Sequence, residues 1–112
     1  MRKNIMKIWV DDVRQPPNRD WVWLKAVNKF CFWIEVIQNM GFLDMIELVS
    51  LDHDAGEYAK YGGDYIKILD YLEANEYNVP IHLHTMNPVG RDNMRRIIQK
   101  NNWKEVLDIE NY

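Results

Sequence analysis

The feature that most constrains this chain is the alternation of short apolar runs with segments of helical periodicity. Four apolar runs, at 5–10, 21–27, 46–51 and 79–84, have the length and the β-branched and aromatic content of strands. Helical patterns over 29–40, 64–76 and a stretch that ends near residue 101 follow the last three runs. Strands joined through helices lie parallel and take right-handed connections. The pattern predicts an α/β fold, an open parallel sheet of four to five strands with helices on both faces.

Local signals place the ends of these elements. Asn28 is predicted to cap the first helix, and Gly41 stands where a helix-ending glycine is expected. Asp92 or Asn93 is predicted to cap the last helix. The segment 103–109 could add a fifth strand.

Size and charge limit the classes of protein that the chain can represent. Its 112 residues predict a single domain over 1–112, and a net charge of -3 argues against general binding of duplex DNA. The single cysteine, Cys31, cannot form an internal disulfide. Since no apolar segment has the length of a membrane span or a signal sequence, we expect a cytoplasmic protein without a membrane partner. The oligomeric state stays open.

Acidic side chains follow two of the predicted strands. Asp11 and Asp12 end the first run, and Asp52 and Asp54 end the third. Carboxyl ends of parallel strands meet at one edge of a sheet, and clustered carboxylates there need a cation, a donor or a raised pKa. We therefore predict that Asp11, Asp12 and Asp54 hold Mg²⁺. The alternative is that they are solvated loop residues, one of them paired with Arg14.

Two histidines stand at matching strand ends. His53 lies between two aspartates after the third run, and His84 ends the fourth. Imidazole exchanges protons near neutral pH, so the pair could serve as acid and base on opposite sides of a phosphorus centre. The alternative is that each ring bonds a loop carbonyl. His82 lies on the same face as His84 but deeper in the sheet, which indicates a structural role.

An anion site is predicted next to His84. The segment 87–91 precedes a helix, so the amides of the first turn could bind an anion and Arg91 could pair with it. A row of basic residues follows on that helix, and a solvated helix face explains the row equally well. Its members are Arg91, Arg95, Arg96 and Lys100.

Four motifs in this order resemble the cyclic-phosphate processing receiver-like domains. They read WVDDVRQPP at 9–17, SLDHD at 50–54, GDY at 63–65 and HLHTMNPVGRDNM at 82–94. The resemblance covers about residues 5 to 101. It implies a shortened response-regulator receiver fold, which is a three-layer, flavodoxin-like sheet, and a role in processing cyclic phosphates of nucleotides or RNA ends. Ala55 and Thr85 depart from the commoner leucine and serine of the family.

The resemblance also implies roles for particular residues. His53, His84 and Asp52 are the predicted catalytic residues. The predicted ligands of a small phosphorylated substrate, a nucleotide or an RNA end, are Arg14, Thr85, Asn87, Gly90 and Arg91. Trp21, Trp23 and the tyrosines at 58 and 61 could form a base-stacking wall.

Two other functions compete with a phosphoesterase. One is a phosphoacceptor receiver that uses Asp52 as the acceptor and holds Mg²⁺ on Asp11 and Asp12. Such receivers need a lysine at the end of the last strand, and 106–112 supplies none. The other is a non-catalytic module that binds a nucleotide or a protein partner in the same pocket.

Overall fold

A single parallel sheet organises the structure. The computed structural model describes residues 6–112. Its strands are β1 (Met6–Val10), β2 (Trp21–Leu24), β3 (Ile46–Leu51) and β4 (Ile81–Leu83), and their order in the sheet is β2-β1-β3-β4. The helices are α1 (Val27–Asn39), α2 (Ile66–Ala74) and α3 (Pro88–Lys100), with short 3-10 helices at Leu43–Met45 and Gly56–Tyr61. This is the predicted receiver-like, flavodoxin-like α/β fold.

The predicted fifth strand is reduced to one bridge. Glu105 pairs in parallel with Ile81, and no other residue of 103–109 belongs to a strand. β4 has only three residues and follows Pro80, which has no N–H to donate to a neighbour. The prediction of a fifth strand was therefore wrong beyond this single contact. Residue 5, predicted to begin the first strand, lies outside the described residues.

The ends of α1 confirm one prediction and contradict another. Asn28 lies inside the helix, and the N-cap is Ala26, which makes no side-chain capping bond. At the other end Gly41 has a φ of 79°, and its N–H donates to the Gln38 carbonyl while Phe42 donates to Ile37. This is the Schellman pattern, and it confirms Gly41 as the residue that ends α1.

α3 begins earlier than predicted. Asn87 is the N-cap, its side chain accepts the N–H of Gly90 at 2.9 Å, and Pro88 is the first helical residue. Proline suits that position because its fixed φ is helical and its missing N–H has no helical partner there. The prediction that Asp92 or Asn93 caps this helix was wrong.

All three helices pack on the same face of the sheet. The strand register aligns Ile8 with Val49 and Val49 with Ile81, and this row belongs to an apolar cluster that includes residues of α1, α2 and α3. The opposite face, expected to carry further helices, has a smaller cluster with no helical residue. Its members are Trp9, Trp21, Leu48 and Val106, with Trp23, Ile109 and Tyr112 packed against them. The C-terminal segment therefore forms the third layer in place of helices.

Connection handedness explains this asymmetry. From β2 to β3 and from β3 to β4 the chain moves in one direction across the sheet, and right-handed crossovers in one direction put α1 and α2 on the same side. Only the connection from β1 to β2 moves the other way, and it is a loop. Within residues 6–112 the opposite face consequently receives no helix. None of the described helices combines the length and the apolar character needed to cross a membrane.

We expect Phe30→Ala to lower the free energy of unfolding by about 3 to 5 kcal/mol, because it removes a fully buried ring of α1 and leaves a cavity. Phe32→Ala is the matched control in the same helix. Since Phe32 is 66% exposed, its loss should change stability by less than about 1 kcal/mol. Urea unfolding of both variants measures the difference, and equal losses would contradict the assigned core.

Candidate active site

Three carboxylates meet at the C-terminal edge of the sheet. Asp11 and Asp12 follow β1, Asp52 follows β3, and one oxygen of each lies within 4.8 Å of the others. β1 and β3 are neighbouring strands, which is why their ends converge. Asp54, which the sequence placed in the metal group, lies outside this cluster. Its Oδ1 is 2.8 Å from Nδ1 of His53.

Asp11 is the most enclosed of the three. It is 1% exposed, and its Oδ1 accepts the N–H groups of Val13 and Arg14 at 3.0 and 2.8 Å. His84 Nε2 lies 2.9 Å from its Oδ2. Burial raises the pKa of Asp11, but these hydrogen bonds outweigh burial and the pKa is lowered. Asp11 is therefore ionised at neutral pH.

Asp12 and Asp52 are shifted in the other direction. Burial raises the pKa of both, and the charges of the neighbouring carboxylates raise it further. For Asp52, hydrogen bonds from the His53 amide and the Thr85 side chain offset part of this shift. Three close carboxylate oxygens whose repulsion is only partly offset by hydrogen bonds are a suitable donor set for a hard cation such as Mg²⁺.

His53 stands on the helix side of this edge. Its Nδ1 faces Asp54 Oδ1, and its side chain is 17% exposed. A Cβ added to Gly90 would lie 2.5 Å from Cγ and Cδ2 of the ring, so the imidazole packs directly on the first turn of α3. Asn87 Nδ2 is at the edge of contact with Nδ1, at 3.5 Å. A bond from Nδ1–H to Asp54 leaves Nε2 as the nitrogen without a hydrogen in the neutral ring.

His84 lies in a different environment, on the face opposite the helices. Its side chain is 6% exposed and stacks on Trp9 with 3.8 Å between ring centroids. Nε2 faces Asp11, and Nδ1 is 2.7 Å from Ser50 Oγ. Burial lowers the pKa of His84 to about 4, against the favourable effect of Asp11. Both ring nitrogens are engaged, which argues against the predicted pairing of His84 with His53 as base and acid.

The predicted phosphate ligands differ in how strongly they are already bonded to other groups of the protein. Thr85 is 2% exposed, its hydroxyl accepts the Asn87 N–H at 3.1 Å, and it lies beside the Asp52 side chain, so it belongs to the floor of the site. Arg91 Nη2 is 2.5 Å from the Thr85 carbonyl, and Gly90 N–H is used by Asn87. Arg14 is exposed, and its Nη1 is 3.4 Å from the His84 carbonyl. Of the two arginines, Arg14 makes the longer hydrogen bond to the protein.

The basic row on α3 is a solvated face with local partners. Arg95 pairs with Glu105 at 2.5 Å, and Lys100 lies 3.2 Å from Glu73. Arg96 donates to the side chain of Asn93. These pairs favour the alternative that the sequence left open for this row.

The proposed stacking wall is only partly accessible. Trp21 is 5% exposed and belongs to the apolar cluster, whereas Trp23 donates its Nε1–H to the Asp11 carbonyl at 2.8 Å. Lys25 Nζ lies 4.7 Å from the Trp23 ring and 5.8 Å from the Tyr58 ring. A cavity of about 340 Å³ opens beside Tyr58 and is lined by Ala26, Asn28, Lys29, Tyr58 and Tyr61.

Ser50 is the site residue that the sequence reasoning missed. It is fully buried, and its Oγ lies 2.7 Å from Nδ1 of both His82 and His84. The signal was present: Ser50 is a single hydroxyl in an apolar strand, and it falls in register with His82 once β3 and β4 are paired. An isolated polar residue in a buried strand needs a partner.

We expect Gly90→Ala to move the His53 imidazole and to destabilise the domain by about 1 to 3 kcal/mol, because the new methyl group overlaps the ring. Val89→Ala is the control, since Val89 is 70% exposed in the same turn. Imidazole NMR resonances and urea unfolding report the two effects. An unmoved His53 signal together with higher stability would contradict the packing described here.

We expect stability to fall as the pH falls through the window set by His84. The unfolded chain takes up a proton near the ordinary pKa of 6.5, whereas the folded protein does so only near 4. Between pH 7.5 and 5, in EDTA, His84 should therefore cost about 2 kcal/mol of unfolding free energy. Urea unfolding at several pH values measures this slope. His84→Gln should show a slope smaller by that amount, and parallel profiles would contradict the assignment.

Most of the chain matches the sequence model of one protein family. A sequence model of the cyclic-phosphate processing receiver domain matches residues 6–100. No curated protein and no solved structure matched the chain. The matched range contains β1 to β4, all three helices and every residue of the site described above. The chain therefore belongs to the cyclic-phosphate processing receiver domain family.

Proposed function

We propose that this domain is a phosphoesterase that opens cyclic phosphates of nucleotides or RNA ends, with His53 as the proton-transferring residue. The observation that carries the proposal is the placement of His53 beside the cluster of Asp11, Asp12 and Asp52. Its backbone N–H donates to Asp52 Oδ1 at 2.7 Å, so the imidazole and the Asp52 carboxylate are held by one short turn.

The carboxylate cluster is the part of the site that we assign to Mg²⁺. Asp11, Asp12 and Asp52 would hold the ion, and Asp54 would not, because it faces His53 instead. When bound, the ion supplies positive charge that offsets the negative charge of the phosphate oxygens. This assignment revises the ligand set predicted from the sequence by one residue.

The proton transfers of ring opening fit the geometry of His53. A water molecule attacks phosphorus, the bond from phosphorus to one ribose oxygen breaks, and the product is a phosphomonoester. The water loses a proton and the leaving oxygen gains one, so a group that both accepts and donates is needed. Asp54 accepts the Nδ1–H of His53 and orients the ring. Nε2 is then the nitrogen that accepts the proton of the attacking water and donates a proton to the leaving oxygen.

Two features favour a nucleotide as the source of the cyclic phosphate. The cavity beside Tyr58 and Tyr61 presents two aromatic rings on which a base could stack. Lys25 and Lys29 lie at the same place and offer positive charge to a flanking phosphate. Gly56, at the start of the 3-10 helix that carries both tyrosines, lies against the Asp12 carboxylate and connects this cavity to the cluster.

A phosphoacceptor receiver is the second candidate, and the same cluster favours it. Asp52 lies beside Asp11 and Asp12 and next to the Thr85 side chain, which is the arrangement that phosphorylation of Asp52 would need. The absence of a lysine from 106–112 leaves the phosphoryl group without its usual counter-charge. We therefore place this function second.

The test is turnover of 2',3'-cyclic nucleotides and of RNA with a 2',3'-cyclic end, followed by ³¹P NMR with Mg²⁺ or with EDTA. We expect a phosphomonoester product with Mg²⁺ and little without it. His53→Gln should lower the rate about 100-fold or more, because proton transfer is lost. Asp52→Asn should also lower it, through loss of the cation.

Asp70→Asn is the matched control for Asp52→Asn, since Asp70 lies on α2, is 52% exposed and, within the described part of the chain, pairs with Lys67 at 4.0 Å. Its rate should equal that of the wild type. Wild-type turnover by His53→Gln would overturn the assigned role. Labelling of Asp52 by an acyl-phosphate donor would favour the receiver, and binding without product would favour a binding module.

A further inference from the structure

A chain of hydrogen bonds joins three strands beneath the carboxylate cluster. Ser50 Oγ, on β3, lies 2.7 Å from Nδ1 of His82 on β4 and 2.7 Å from Nδ1 of His84 directly after β4. His84 Nε2 continues the chain to Asp11 Oδ2, at 2.9 Å, at the end of β1. The four side chains run in the order His82, Ser50, His84, Asp11. The first three play no part in the proton transfer assigned to His53.

The number of hydrogens on each group determines the donor and the acceptor of each of these hydrogen bonds. The Ser50 hydroxyl has one hydrogen, so it donates to one imidazole and accepts from the other. Asp11 is an acceptor, since its other oxygen already receives the Val13 and Arg14 amides, and His84 must therefore carry its hydrogen on Nε2. A neutral imidazole has only one N–H, which leaves Nδ1 of His84 as the acceptor from Ser50.

The surroundings of His84 favour the neutral ring that this count assumes. One face of the imidazole stacks on Trp9 with an interplanar angle of 3°, and little of the side chain reaches water. A cation enclosed in this way would need compensation beyond the single carboxylate. The remaining hydrogen bond then has a defined donor: His82 carries its hydrogen on Nδ1 and donates to Ser50.

We infer that Ser50 and His82 are positioning residues, which hold His84 as the Nε2–H tautomer so that it orients the Asp11 carboxylate at the cation site. The inference rests on the proposed function for the cation but not on catalysis. Imidazoles whose second nitrogen is fixed by a partner commonly orient the carboxylates and ligands of metal sites in this way. His84 accordingly supports the cluster, and His53 is left as the histidine that exchanges protons.

The first test reads the tautomers directly in protein without metal. Long-range ¹H–¹⁵N NMR in EDTA at pH 7.5 should show His84 protonated on Nε2 and His82 protonated on Nδ1. In Ser50→Ala, His82 loses its acceptor and should change to the Nε2–H form that free imidazole side chains prefer. A wild-type His82 protonated on Nε2, or a His84 protonated on Nδ1, would overturn the inference.

A matched pair of variants separates the hydrogen bond from the shape of the side chain. His82→Asn keeps an N–H near the position of Nδ1, whereas His82→Leu removes it. Mn²⁺ titration followed by electron paramagnetic resonance should give an affinity about ten-fold weaker for His82→Leu and Ser50→Ala, and within about three-fold of the wild type for His82→Asn. Circular dichroism checks that each variant is folded.

The outcomes distinguish this inference from the proposed function. Equal Mn²⁺ affinity in the wild type, Ser50→Ala and His82→Leu would overturn the positioning role, even if the tautomers are as expected. If the wild type binds no Mn²⁺, the cation in the proposed function fails, and the role of His84 as an orienting group for a cation site fails with it. Loss of turnover in His53→Gln with unchanged tautomers would support both.

Discussion

A buried carboxylate must find inside the protein the donors that water would otherwise supply, and in this domain that carboxylate is Asp11. Its oxygens accept two amides from the loop after β1 and face the ring of His84, which follows β4. Its own carbonyl accepts the indole N–H of Trp23 on β2. One residue therefore joins a loop and the ends of strands that are not adjacent in sequence. The position of the whole edge depends on this charge being satisfied.

The negative charge of Asp11 affects the carboxylates of Asp12 and Asp52. Burial raises the pKa of Asp12 and of Asp52, and the negative charge of ionised Asp11 raises both pKa values further. At this edge of the sheet, hydrogen bonds stabilise the charge of Asp11, whereas a bound cation or proton would stabilise Asp12 and Asp52. The proposed cation site and the stability of the fold therefore depend on the same hydrogen bonds.

The sequence was sufficient for those features that depend on periodicity and on strand ends. The four strands, the three helices and the convergence of Asp11, Asp12 and Asp52 all follow from apolar runs that stop at polar residues. It was not sufficient for the choice between Asp52 and Asp54, because two residues of one turn can point in different directions after a strand ends. The two histidines looked equivalent at matching strand ends, yet alternation along the strands puts them on opposite sides of the sheet.

The packing of His53 on Gly90 has a mechanical consequence. The His53 ring contacts the first turn of α3 with no side chain between them, so the ring and the helix have to move together. A shift of the helix toward the sheet would displace the imidazole, and a reorientation of the imidazole would meet the helix. The same turn holds Asn87, which fixes the helix start through its bond to Gly90. The position of the His53 imidazole is thus coupled to the axial position of a helix whose other end lies about 18 Å away along its 13 residues.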